Sequence, residues 1–146
     1  MTACERIVAT LTLVGHSQSY DLTPEPGYAR QLSRGIGALD GQRVVLRREM
    51  HQRAALSTVQ LLAARLADGF ANAATSLSLL QPPLVAARAQ RALKGSISQA
   101  HDAYAALAAA AGTRSAAGYN AARAQVDEAE ASVSRALENF ATLGYG

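Results

Sequence analysis

Hydrophobic and polar positions alternate with period two over Glu5–Val14, where Ile7, Ala9, Leu11 and Leu13 share one face. That alternation predicts a half-buried strand. Gly15–Gln18 supplies turn chemistry, and Tyr20–Leu22 is expected to return as a short second strand. Pro24, Pro26 and Gly27 then interrupt regular structure. Tyr28, Leu32, Ile36 and Leu39 recur at spacings of four, four and three, which predicts a short helix over Tyr28–Leu39. Gly35 and Gly37 weaken its second half, each by roughly 1 kcal/mol relative to Ala. Asp40-Gly41 reads as a turn. Gln42–Arg48, with Val44 and Leu46 on one face and Val45 on the other, reads as a further strand.

From about Gln52 the period becomes helical. Leu56, Val59, Leu62, Leu66, Phe70, Ala73, Leu77 and Leu80 form one stripe that ends at Pro82-Pro83. A second long helix is expected over about Pro83–Ala111, with Val85, Ala89, Leu93, Ile97, Ala100, Tyr104, Leu107 and Ala111 along its seam. Gly112 is the expected C-cap, and Thr113 or Ser115 the cap of a third helix. In that helix Tyr119, Ala122, Val126, Ala129, Val133, Ala136 and Phe140 alternate spacings of three and four, as in a coiled-coil seam. Short connections make neighbouring helices antiparallel.

The expected fold is α+β, mainly α. A small β-sheet with one short helix occupies residues 1–50, and an antiparallel bundle of three long Ala-rich helices occupies residues 51–146. The two regions are expected to form a single compact unit, because a sheet this small needs a surface to pack on. The second helix carries alanines on nearly every side. A helix apolar all round is buried all round, so either the N-terminal sheet or a second molecule is expected to cover part of it, the second molecule being preferred.

Charge changes this picture only modestly. The formal net charge is +3, from thirteen Arg and one Lys against eleven acids. Residues 1–100 hold a net +5 and residues 101–146 a net −2. That density falls short of a committed nucleic-acid footprint, and the few aromatic residues argue against a base-stacking surface. Cys4 is the only cysteine, so no internal disulfide forms. The longest apolar run, Ala103–Ala111, is too short to span a membrane, and the first fifteen residues lack a secretory pattern. A soluble, cytoplasmic protein without a membrane partner is expected.

No motif ties the chain to a reaction. His16, His51 and His101 are scattered, with no second His or Cys at metal-ligand spacing, and adjacent His101 and Asp102 are expected on different helix faces. Ser17, His51 and Asp40 supply the residue types of a nucleophile triad, but no Gly-x-Ser-x-Gly elbow exists. Gly35–Gly41 lacks both dinucleotide and P-loop spacing and reads as a helix end and turn. No enzymatic activity, metal or cofactor is expected.

The remaining candidates are interaction residues. Arg43, Arg47, Arg48 and Arg53 form the densest basic cluster, and Arg88, Arg91 and Lys94 a second stripe. Arg123, Glu128 and Glu130 mark the outer face of the last helix, where Arg123 can pair with Asp127 one turn on. The expected function is a non-enzymatic scaffold or accessory subunit that acts by helix-mediated assembly with another protein or with copies of itself. A small subunit of a larger enzyme or defence complex fits the same pattern. The alternative is a nucleic-acid or polyanion-binding accessory protein that uses the two Arg-rich patches, whose binding would fall with salt.

Overall fold

The computed structural model describes residues 24–51 and 55–145. Four helices account for most of them: α1 (Pro26–His51), α2 (Leu56–Ser78), α3 (Ala87–Thr113) and α4 (Ala116–Thr142). No strand occurs among the described residues. The α+β expectation is corrected accordingly: the described residues form an all-α, four-helix bundle. The strand expected at Gln42–Arg48 and the turn at Asp40-Gly41 both lie inside α1. The strands expected at Glu5–Val14 and Tyr20–Leu22 fall outside the described residues.

The first helix is continuous because its inward seam does not stop at Leu39. Tyr28, Leu32, Leu39 and Leu46 are all buried, and between the last two the seam runs through exposed Gln42 and half-buried Arg43. Gln42 Nε2 donates to the Arg65 carbonyl at 3.2 Å, and Arg43 reaches Glu130. These polar residues satisfy the helical period geometrically while breaking its hydrophobic signal. Glu25 starts α1 by accepting from the Gly27 and Tyr28 amides at 2.9 and 2.8 Å, with Pro26 at the first helical position, where a missing N–H costs nothing.

The other three helices follow their stripes. Val59 through Leu77, Ala89 through Ala111 and Ala122 through Phe140 are buried at the expected positions. Leu56 and Val85 are exposed instead. Ser115 caps α4 by accepting from the Gly118 amide at 3.1 Å. The cap of α3 differs from expectation. Gly112 stays in the helix, and Arg114 takes the left-handed conformation at φ 54°.

Successive helices run antiparallel. Tyr28 near the start of α1 donates its hydroxyl to Gln90 Oε1 near the start of α3, at 2.8 Å. Its ring meets Phe140 in the last turn of α4 and Tyr145 just beyond it, at centroid distances of 6.5 and 5.3 Å. Gln90 in turn donates to the carbonyls of Leu77 and Leu80 at 2.9 and 3.3 Å, closing the end of α2. Phe70 stacks on Tyr104 at 5.5 Å in the α2–α3 seam. No Cα of α1 lies within 8 Å of a Cα of α4. Long side chains therefore have to bridge that gap, and they create the most polar place in the interior.

Candidate functional site

Arg43 and Arg47 lie one turn apart on α1, so a helix places them on one face. That face looks across the wide α1–α4 gap at Glu130, whose side chain is only 8% exposed. One carboxylate oxygen of Glu130 accepts from Arg43 Nη2 at 3.2 Å and from Arg47 Nη1. The other accepts from the buried Tyr104 hydroxyl on α3. Arg43 Nη1 also donates to Asp40 Oδ1 at 2.7 Å. Arg43 Nε is buried without a partner.

The electrostatics follow from this geometry. Burial opposes the Arg43 charge, but the hydrogen bond to Glu130 and the negative charges of Glu130 and Asp40 outweigh it and raise its pKa. Burial, and then the neighbouring Glu130, raise the Tyr104 pKa well above the ordinary phenol value. Tyr104 is thus held protonated, as a donor to Glu130 and not as a base. The cluster joins three helices through charge-assisted hydrogen bonds.

Above this cluster a cleft of about 280 Å³ opens between the end of α1 and the start of α4. Arg47, His51, Tyr119, Arg123 and Asp127 line its polar side. Arg123 and Asp127 form no ion pair among the described residues. Among the described residues no group of three or more His, Cys, Asp or Glu side chains could hold a metal ion. His101 and Asp102 do meet, with Nδ1 3.0 Å from Oδ1, because both exposed side chains bend along the helix surface. Cys4, His16 and Ser17 lie outside the described residues.

The basic residues are divided. Arg43 and Arg47 engage Glu130 internally, Arg48 is exposed on α1, and Arg53 lies outside the described residues. Arg88, Arg91 and Lys94 are exposed at the start of α3. Since Tyr28 marks the level of Gln90, Arg43 sits fifteen residues further along α1, about 22 Å away along the axis at 1.5 Å per residue. The two basic patches therefore do not converge. Arg123 and Glu128 are exposed on α4, whereas Glu130 is buried.

Two further surfaces escaped sequence reading. The outer face of α1 carries exposed Gly37 and Gly41 followed by Val44 and Val45, each just over half exposed. Apart from the neighbouring helix backbone, no atom of the described residues lies within 4 Å of where a side chain would start at either glycine. At the turn between α2 and α3, Leu79 and Leu84 are 77% and 84% exposed, with Val85 beside them.

No helix among the described residues is long and apolar enough to cross a membrane. Comparison with protein-family models, with curated proteins and with solved structures finds no match. The described residues define a small all-helical domain.

Proposed function

We propose that this chain is a non-enzymatic scaffold or accessory subunit that works by helix-mediated assembly, and that the outer face of α1 is its docking face. One observation carries the reading. Gly37 and Gly41 sit one turn apart on an exposed helix face, with Val44 and Val45 immediately after them. Glycine inside a helix costs roughly 1 kcal/mol relative to alanine, and no contact among the described residues requires either glycine. A partner helix whose backbone approaches closely would use both glycines and cover the valines.

The polyanion alternative is weaker. Two of the four arginines in its densest patch, Arg43 and Arg47, are already committed to Glu130.

The test pairs opposite effects. The double variant G37A/G41A is expected to stabilise the isolated bundle by about 2 kcal/mol, since helix propensity rises at two open positions. The same variant should lose assembly, measured by light scattering across a concentration series and by crosslinking in extracts of the source cells. Equal assembly by wild type and variant would refute the role of this face.

A further inference from the structure

The turn joining α2 to α3 is the most apolar exposed feature among the described residues. No charged side chain occurs between Asp68 and Arg88, and Leu79, Leu84 and Val85 project from this stretch. The turn is stiff. Pro82 and Pro83 fix their φ angles, the Ala86 amide donates to the Pro83 carbonyl at 2.9 Å, and Gln90 binds the Leu77 and Leu80 carbonyls from below. The leucines are therefore held outward by a supported loop.

Around this tip the charge is one-sided. The end of the bundle at the turn comprises residues 24–38, 69–98 and 131–145, with Asp68 and Glu130 just beyond it. It carries Arg30, Arg34, Arg88, Arg91, Lys94 and Arg135 against only Glu25 and Glu138, a net +4. One of those two acids, Glu25, is occupied with the α1 N-terminal amides. The remaining described residues carry six cations and seven acids, a net −1. Arg88, Arg91 and Lys94 lie within about 10 Å of the start of α3, a depth comparable to the Debye length of about 10 Å.

We propose that the Leu79–Val85 turn docks on an anionic lipid surface, with Leu79 and Leu84 entering the interfacial region and the surrounding arginines meeting the headgroups. This surface is separate from the α1 face assigned to assembly. Peripheral docking needs no membrane-spanning segment. The occupant follows from shape and charge. Three side chains expose at most about half of the roughly 800 Å² that each partner of a stable protein interface buries. Leu79 and Leu84 project from the turn, so a protein partner would have to supply a matching pocket. A bilayer surface needs no complementary shape, and its anionic headgroups complement the cationic collar.

The chain contains no tryptophan, so Leu84→Trp places a single reporter at the tip. Its emission is expected to shift to the blue when phosphatidylglycerol-containing vesicles are added, and to stay unchanged with pure phosphatidylcholine vesicles. Vesicle co-sedimentation of the otherwise native chain should fall by about tenfold or more for L79S/L84S, the loss of about 1.4 kcal/mol or more. It should fall about fivefold for each of R88Q and R91Q, and fall again as salt rises. Absence of co-sedimentation with anionic vesicles overturns the proposal. So does binding that L79S/L84S leaves unchanged, or tip-dependent binding to a soluble acidic protein without binding to vesicles. G37A/G41A should bind vesicles like the wild type, so the test separates this surface from the assembly face.

Discussion

Replacing Glu130 by alanine removes an acceptor shared by donors from two other helices. The cost can be worked from what remains. Arg43 has a side chain 15% exposed and keeps only Asp40, which is itself 60% exposed. An exposed pair of that kind contributes at most about 1 kcal/mol. Arg47 is 35% exposed and can swing toward the cleft, so its loss is discounted for solvent. Tyr104 keeps a buried hydroxyl without its acceptor. Breaking a buried pair by deleting one partner costs about 3–5 kcal/mol, and the escape route for Arg47 places E130A near the lower end, about 3 kcal/mol. For a bundle of this size that corresponds to a loss of roughly 10 °C in Tm. Urea unfolding followed by far-UV circular dichroism should show a lower midpoint with an unchanged slope. R43M/E130L removes both the charge and its partner, and should recover at least about 1.5 kcal/mol relative to E130A. An E130A midpoint within about 0.5 kcal/mol of wild type would refute the view that Glu130 compensates the buried arginines.

Alkaline pH should weaken the fold. Burial, and then neighbouring Tyr145, push Tyr28 up to about 12, and Tyr104 is raised further in the same direction. A raised folded-state pKa contributes stability that is complete below the unfolded value of about 10 and is lost as pH rises through the folded value. Thermal melts should therefore be flat up to about pH 10 and then fall, with a shallower fall in Y28F. Arg114→Gly should raise Tm, because a left-handed φ of 54° costs a non-glycine residue about 1 kcal/mol. A lower Tm would show that the Arg114 side chain contributes more than its backbone strain costs. Val45→Glu leaves a residue already half exposed, so it should change stability by less than about 0.5 kcal/mol while reducing assembly. Sedimentation velocity beside a melt checks both.

Sequence alone determined the three long helices and their buried stripes. The periods at Leu62–Leu77, Leu93–Leu107 and Ala122–Phe140 depend only on local spacing, and an apolar stripe on a helix has to be covered. The Ser115 cap was legible for the same local reason. Tertiary structure decided the rest. The continuity of α1 was hidden because its seam passes through Gln42 and Arg43. An inward arginine is tolerable only because Glu130 waits 87 residues further along the chain, and no local pattern contains that fact. Val44-Val45 and the preceding glycines mimicked a strand after a turn, since β-branched residues suit strands and glycine suits turns, until packing against α2 held the segment helical. The charge asymmetry was equally invisible. The basic residues of three sequence segments become one cationic end only when antiparallel helices bring residues 24–38, 69–98 and 131–145 to the same side. Which leucines remain uncovered there was decided by the Pro82-Pro83 turn, which projects Leu79 and Leu84 beyond the reach of any seam.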